Sequence, residues 1–132
     1  MDPGLRRDDE RDKLTYDSNN IFAKILRGEI PCNKVYEDGF ALAFHDIAPA
    51  APVHVLVIPK GEYQSFQDFA AKASPEKMQG FFYAVQKVAS QLGIDKNGYR
   101  LISNHGKEGG QVVHHFHVHL LAGKPLGGLV AA

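Results

Sequence analysis

The chain has 132 residues, of which 44% are hydrophobic, so it can bury the core of a single domain without disulfide or metal cross-links. Its 15 basic and 15 acidic residues leave no net charge, which argues against binding to a nucleic-acid backbone and favours a small-molecule partner. Cys32, the only cysteine, excludes an internal disulfide and any zinc site built on paired cysteines.

The first segment of the chain is mostly charged. Residues 1–17 carry mixed signs and almost nothing apolar to bury, which predicts a disordered arm ahead of a domain spanning residues 18–132. The arm lacks the apolar core of a signal peptide, and no later stretch approaches the roughly 20 apolar residues that span a bilayer. The sequence therefore predicts a soluble, cytoplasmic protein with no membrane partner.

A short helix is predicted directly after the arm. Asn19 or Asn20 can cap its N-terminus, and Gly28 stands where a left-handed residue ends a helix. Four apolar residues share one face of this helix: Ile21, Phe22, Ile25 and Leu26. That pattern alone would assign the face to the core.

Three strands are predicted next. Residues 34–37 and 40–44 form a hairpin, because the pair Asp38-Gly39 suits a two-residue type I′ turn. Residues 53–58 are almost continuously apolar, which indicates a strand buried on both faces.

A long helix and two further strands complete the domain. Ser74 and Pro75 are typical of the first positions of a helix, and apolar residues then recur at helical spacing until Gly93. Residues 99–103 and 113–121 are predicted as the fourth and fifth strands. The sum is an α+β domain, with a five-stranded antiparallel sheet, one long helix and one short helix.

Four of the seven histidines fall within six residues: His114, His115, His117 and His119. Strand alternation would place the last three on one face and the apolar residues between them on the other. Such a row can be a solvated surface, a metal site or a set of groups around a phosphate. A single zinc ion is too small for all three, because the outer Cα atoms lie roughly 13 Å apart at about 3.3 Å per residue.

A phosphate ester is wide enough to contact the whole row of imidazoles. A neutral imidazole is also a competent nucleophile near pH 7, so no metal or other cofactor is required. Before the row stands Gly109-Gly110, where the backbone can approach an anionic oxygen closely. The pattern therefore favours phosphoryl chemistry.

The histidine row resembles the signature of the histidine triad (HIT) family, in which three histidines alternate with apolar residues, here His115-Phe116-His117-Val118-His119-Leu120-Leu121. The likeness extends to residues 21–31, 43–47 and 51–60, and covers about residues 19–126. The resemblance implies a HIT-like fold whose sheet continues across a homodimer, with a purine nucleotide as the ligand.

The resemblance also implies catalytic roles. His117 is expected to attack the α-phosphorus and to carry a nucleotidyl group until water removes it. The backbone carbonyl of His115 should orient the His117 ring, while the side chains of His115 and His119 should contact the phosphate or move protons. His54 is similar to the family's supporting histidine in a proton relay.

A nucleotide-binding set follows from the same likeness. Asp46 resembles the acid that accepts hydrogen bonds from both ribose hydroxyls, a task that suits a carboxylate. The expected base pocket is apolar and consists of Ile21, Phe22, Ile25, Ile30, Phe44 and Ile47. The remaining members of the set are Asn104, Gly110, Gln111, Val112 and Val113.

Within the family, Asn104 and residues 121–127 resemble the purine nucleoside phosphoramidase (histidine triad nucleotide-binding, Hint) branch, which implies hydrolysis of AMP or GMP phosphoramidates. Val112 departs from the pattern, because many relatives have serine there, and this predicts an altered leaving-group preference. Two alternatives stay open. One is dinucleoside polyphosphate hydrolysis or nucleotidyl transfer, and the other is a nucleotide-binding interaction module with little turnover.

Overall fold

The computed structural model describes residues 15–130. Within that range the elements are α1 (Ile21–Leu26), β1 (Lys34–Glu37), β2 (Ala41–His45), β3 (Val53–Pro59), α2 (Phe66–Lys72), α3 (Pro75–Leu92), β4 (Arg100–Ile102) and β5 (Val118–Ala122). All strand pairs are antiparallel and the order across the sheet is β1-β2-β3-β5-β4. The predicted five-stranded α+β domain is confirmed.

The predicted disordered arm is only partly covered by the structure. Residues 1–14 of the arm lie outside the described residues, as do residues 131–132 of the predicted domain. Tyr16 is described, and its hydroxyl lies 2.6 Å from Nδ1 of His115. Tyr16, which the prediction places in the arm, thus contacts a residue of the domain 99 positions away in sequence.

The two helices predicted from capping residues start and stop as expected. The Asn20 side chain accepts a hydrogen bond from the Ala23 amide across 2.9 Å, and Gly28 follows α1 with φ of 76°. The Ser74 hydroxyl accepts from the Lys77 amide across 3.1 Å, and Gly93 ends α3 with φ of 74°. The left-handed region is one that glycine enters without a steric penalty.

The helix α2 was not predicted, so the expectation of a single short helix is incomplete. Its N-terminus is capped by Ser65, whose hydroxyl accepts from the Asp68 amide across 3.2 Å. The Asp68 carboxylate accepts in turn from the Gln64 amide across 2.9 Å. The helix has only 7 residues, which is shorter than the window of about 11–18 residues over which a helical period can be recognised.

The turn between β1 and β2 is not the predicted type I′ turn. That type requires positive φ at both central residues, and neither Asp38 nor Gly39 has it. The Asp38 carboxylate accepts instead from the amides of Phe40 (2.7 Å) and Ala41 (2.9 Å). The paired part of the hairpin ends at Glu37 opposite Leu42.

The sheet separates two apolar clusters. The larger cluster joins α2, α3 and one face of the sheet, and includes Phe69, Phe81, Val85, Val88, Phe116, Val118 and Leu120. The smaller cluster lies on the opposite face, where Phe22 of α1 packs with Leu42, Phe44, Leu56 and Ile58. Strand β3 contributes to both clusters, which confirms that it is buried on both faces. No helix within residues 15–130 has the length and apolar character needed to cross a bilayer.

The last strand begins later than predicted, at Val118 rather than at residue 113. Before that point the Phe116 amide donates to the carbonyl of Tyr63 across 2.7 Å, outside the sheet. The side chains of this segment still alternate between the two faces, since Phe116, Val118 and Leu120 all belong to the larger cluster. His119 pairs opposite Leu56 and so belongs to the other face, with α1.

Candidate active site

A cavity of about 440 Å³ opens beside α1, a size usual for a small-ligand site. The predicted site residues that line it are Ile21, Phe22, Ile25, Ile30, Phe44, Asp46, Ile47, Asn104, Gly110, Val112, Val113, His117 and His119. The side chains of His54, His115 and Gln111 do not belong to the lining. The structure therefore brings together most of the predicted set, from four separate stretches of the chain.

Five residues of the lining were not predicted: Pro31, Cys32, Asn33, His45 and Leu56. The first three directly follow Ile30, and His45 directly precedes Asp46, so adjacency to a predicted residue was an available signal. Leu56 carried no such signal, because only the pairing of β3 with β5 places it opposite His119. Burial raises the pKa of the Cys32 thiol.

The His117 ring is oriented by a backbone carbonyl two residues earlier. Its Nδ1 donates to the carbonyl oxygen of His115 across 2.7 Å. Because a carbonyl only accepts, Nδ1 carries the proton of the neutral ring and Nε2 keeps its lone pair. The ring of Phe22 packs edge-on against it, with centroids 5.0 Å apart. The result is a fixed imidazole with a nucleophilic nitrogen in a ring that lines the cavity.

The His115 side chain has a different position from the one expected. It is fully buried, and its Nε2 donates to the carbonyl of Pro59 across 3.0 Å. Nδ1 therefore accepts from the Tyr16 hydroxyl, 2.6 Å away. With both nitrogens bonded and no exposed surface, the ring cannot reach a ligand, which contradicts the expected phosphate contact or proton transfer by this side chain. Its backbone carbonyl does lie where the resemblance implied.

His54 and His119 form a hydrogen-bonded pair at the junction of β3 and β5. Nδ1 of His54 accepts from the Ala50 amide across 3.0 Å, so the proton of the neutral ring is on Nε2. That nitrogen lies 2.9 Å from Nδ1 of His119 and donates to it. His119 consequently carries its own proton on Nε2. One peptide N–H thus sets the tautomers of both rings.

Burial lowers the pKa of all three triad histidines. For His117 it is the largest influence, opposed by the hydrogen bond to His115 and by the charge of Asp46. Burial, reinforced by the neighbouring His117 and His54, lowers the pKa of His119 to about 4. Burial likewise lowers the pKa of His115 to about 4. All three rings are therefore neutral at pH 7, the state in which His117 can attack an electrophile.

One group of side chains has the composition of a divalent metal site. Asp46, His54 and His119 each present a ligand atom, and these atoms lie within 4.8 Å of one another. The tautomer argues against this use. Nδ1 of His54 accepts from Ala50, so Nε2, which lies 3.5 Å from Asp46 Oδ2, bears a proton rather than the lone pair that a metal needs.

The loop from Asn104 to Val113 is held closed by Gln111. The Gln111 side chain accepts from the Gly106 amide across 3.0 Å and donates to the carbonyls of Gln64 (2.6 Å) and Val113 (3.0 Å). Its own amide donates to the Gly106 carbonyl across 3.0 Å. This geometry therefore argues against direct nucleotide binding by Gln111, because its side chain already makes hydrogen bonds within the protein.

Adjacent backbone donors of this loop remain beside the cavity. Within residues 15–130 the amides of Val112 and Val113 have no acceptor, and both residues line the cavity. The Gly110 amide, by contrast, donates to Lys107 across 3.1 Å. The Asn104 side chain donates to the Gly109 carbonyl across 2.6 Å, within the same loop. Adjacent N–H groups of this kind suit an anionic oxygen.

Comparison with known proteins assigns the family. The HIT domain pattern matches residues 27–126, and the chain therefore belongs to the HIT family. It is 53% identical to a HIT-like protein of Azospirillum brasilense, over 88% of this chain and 95% of the relative. It is 44% identical to the purine nucleoside phosphoramidase of Escherichia coli K12, over 84% of this chain and 92% of the relative.

Solved structures agree with this assignment. A HIT family hydrolase from Clostridium thermocellum matches the fold with a TM-score of 0.79 and 41% sequence identity. The match covers 87% of this chain and 99% of the other. The HIT-like fold predicted from the histidine signature is thereby confirmed.

Proposed function

We propose that the protein hydrolyses purine nucleoside phosphoramidates, such as those of AMP and GMP, through a nucleotidyl group carried on His117. The observation that carries the proposal is the 2.7 Å hydrogen bond from His117 Nδ1 to the His115 carbonyl, because it leaves the Nε2 lone pair for attack. The 44% identity to the phosphoramidase of Escherichia coli supports the choice of substrate.

In the first step His117 Nε2 attacks the α-phosphorus. A bond forms between phosphorus and Nε2 while the bond from phosphorus to the amine nitrogen breaks. A negatively charged phosphate raises the proton affinity of a nearby imidazole. Bound substrate thus favours the protonated form of His119, which supplies the proton that the departing amine needs.

In the second step water attacks the same phosphorus. The bond from phosphorus to His117 Nε2 breaks, the nucleoside monophosphate leaves, and the proton of the water returns to His119. The amides of Val112 and Val113 are the backbone donors available to the phosphoryl oxygens, whose negative charge grows in each transition state. His119 releases this proton to solvent when the nucleotide leaves, which offsets the proton taken up when substrate bound, and the protein returns to its starting state.

The rest of the cavity suits a nucleoside. Asp46 Oδ1 accepts from the Ala48 amide across 2.8 Å, and the carboxylate retains further lone pairs for the ribose hydroxyls. The apolar wall formed by Phe22, Phe44 and Leu56 offers a purine base a hydrophobic surface. We therefore assign the ribose to Asp46 and the base to the α1 side of the cavity.

Purified protein is expected to release AMP from adenosine 5′-phosphoramidate without added metal. His117→Ala should stop turnover, whereas His114→Ala, a change of an exposed histidine outside the cavity, should not. Unchanged turnover in His117→Ala would refute the assignment. Faster turnover of diadenosine polyphosphates than of phosphoramidates at equal concentration would favour the polyphosphate hydrolase alternative. Tight AMP binding with negligible turnover of every phosphoramidate would indicate an interaction module.

We also propose a homodimer in which the sheet continues through β4. This strand is at the edge of the sheet, where backbone groups can pair with another chain. Leu101 on this strand is 46% exposed, and Tyr99, directly before the strand, is 40% exposed. Light scattering during gel filtration should give twice the chain mass, and Leu101→Lys should shift the protein toward the monomer.

A further inference from the structure

We propose that Tyr16 is a positioning residue of the triad, because its hydroxyl fixes the His115 ring whose backbone carbonyl orients His117. The effect on kcat that this proposal predicts rests on the proposed function, whereas the effect on the state of the His115 ring does not. Tyr16 is outside the cavity lining, so it acts through His115 rather than by contact with a ligand.

The direction of each hydrogen bond follows from the groups involved. Pro59 offers only a carbonyl oxygen, so His115 Nε2 must donate to it across 3.0 Å. His115 Nδ1 then has a lone pair, and the Tyr16 hydroxyl must donate to that lone pair across 2.6 Å. The neighbouring carbonyl of His115 accepts from His117 Nδ1. A continuous set of bonds thus runs from Tyr16 through His115 to the nucleophile.

Ring contacts support the same arrangement. The Tyr16 ring meets the His115 ring edge-on, with centroids 5.7 Å apart and planes inclined by 71°. Phe22 packs edge-on against both His115, at 6.4 Å, and His117, at 5.0 Å. His115 is therefore held by Pro59, Phe22 and Tyr16, and Tyr16 is the one of the three that reaches Nδ1.

The position of Tyr16 is itself determined by the turn that precedes α1. The Asp17 carbonyl accepts from the amide (3.2 Å) and the side chain (2.7 Å) of Asn20, the cap of α1. The Arg27 guanidinium donates to the Ser18 carbonyl across 2.8 Å and ties the turn to the far end of the helix. The segment before α1 is therefore built against the domain and presents Tyr16 to His115.

Loss of the hydroxyl changes the state of His115 in a defined direction. The titratable neighbour on its own segment is His117, and on the Tyr16 side the charged groups are Asp17, Arg27 and Glu62. Burial holds the pKa of His115 at about 4. The Tyr16 hydroxyl donates to the Nδ1 lone pair and so stabilises only the neutral ring, which means that its loss raises the pKa of His115 toward its ordinary value. Below this raised pKa a charged His115 lies beside His117 and disturbs the nucleophile.

The test compares Tyr16→Phe with Tyr83→Phe, a matched change on the exposed side of α3. Histidine ring ¹⁵N NMR between pH 4 and 8 should show a higher pKa for His115 in Tyr16→Phe than in the wild type or the control. The kcat on adenosine 5′-phosphoramidate should fall by roughly tenfold with little change in KM, as expected for loss of one part-buried hydrogen bond.

The NMR measurement needs no substrate. An inactive wild-type protein would therefore contradict the proposed function, while the role of Tyr16 in setting the pKa of His115 would still be tested. An unchanged His115 titration in Tyr16→Phe overturns the proposal. A changed titration with an unchanged kcat overturns the positioning role as well. Circular dichroism of both variants ensures that only folded protein is compared.

Discussion

Nε2 of His54 lies 2.9 Å from Nδ1 of His119, and the proton between them belongs to His54. The reason is the Ala50 amide, which donates to the other nitrogen of His54 across 3.0 Å. The loop between β2 and β3 therefore determines which nitrogen of His119 carries a proton. The tautomer of a cavity-lining residue is set by a peptide group that never meets the ligand.

Removal of His54 should impair the chemical step more than binding. In His54→Ala the His119 ring loses the bond that holds its tautomer and orientation, so kcat on adenosine 5′-phosphoramidate should fall by about 10²-fold, in the range for acid–base groups. The KM should change little, because His54 does not line the cavity. Steady-state kinetics of His54→Ala and of the control His114→Ala measure this effect. A kcat within twofold of the wild type would contradict the relay.

The free energy of unfolding should decrease as the pH falls from about 6.5 to about 4. An unfolded histidine titrates near 6.5, whereas folded His115 and His119 titrate at about 4. In this window the unfolded chain binds protons that the native state does not, so each such histidine lowers stability by about 1.4 kcal/mol per pH unit. The loss begins below the unfolded pKa and ends below the folded one.

Urea unfolding followed by circular dichroism tests this pH dependence. Measurements at pH 7.5, 6.5, 5.75 and 5.0 lie above the range in which ordinary carboxylates titrate. A free energy of unfolding that is constant or rising toward pH 5.0 would show that the buried histidines are not neutral in the native state.

Gln111→Glu should weaken the loop beside the cavity. The change removes the two N–H donors that reach the carbonyls of Gln64 and Val113, and it brings a carboxylate against them. The expected cost is about 1–3 kcal/mol of unfolding free energy, together with a higher KM. Gln79→Glu, on an exposed position of α3, is the matched control. Equal stability and KM for the two variants would exclude a clamping role.

Gly109→Ala should displace the same loop for a steric reason. A Cβ at Gly109 would overlap the His105 carbonyl oxygen, which is backbone and cannot rotate away. A Cβ at Gly39 would meet nothing within 4 Å, so Gly39→Ala is the matched control and should be neutral or slightly stabilising. Thermal unfolding and KM of both variants measure the difference. Normal values for Gly109→Ala would show that the loop is not tightly constrained.

The sequence was sufficient for those features that local patterns encode. Asn20, Ser74 and Gly93 mark helix ends by chemistry that acts within four residues, and the structure confirms them. The continuous apolar run of β3 likewise predicted burial on both faces. Local patterns were not sufficient for the start of β5, because an extended segment alternates whether or not it pairs in a sheet. Only the bond from Phe116 to Tyr63 shows that the segment is outside the ladder.

The environment of His115 shows why part of the site could not be predicted. Spacing put its side chain with those of His117 and His119, and alternation treats the three as equivalent. Its partners, Tyr16 and the Pro59 carbonyl, are 99 and 56 positions away in sequence. No local pattern contains such contacts, and they are what turns one of three similar histidines into a buried support. The same limit applies to Gln111, whose side-chain partner Gln64 is 47 positions away.

Helix α1 has only six residues, too few to be stable in water without tertiary contacts. Its order depends on Phe22 and on the wall of the cavity that it helps to form. Any ligand that fills the cavity therefore also stabilises the helix, since it binds the folded wall and not the frayed one. Occupancy of the site should accordingly slow hydrogen exchange of the α1 amides. The measured affinity would then include the free energy of ordering this helix.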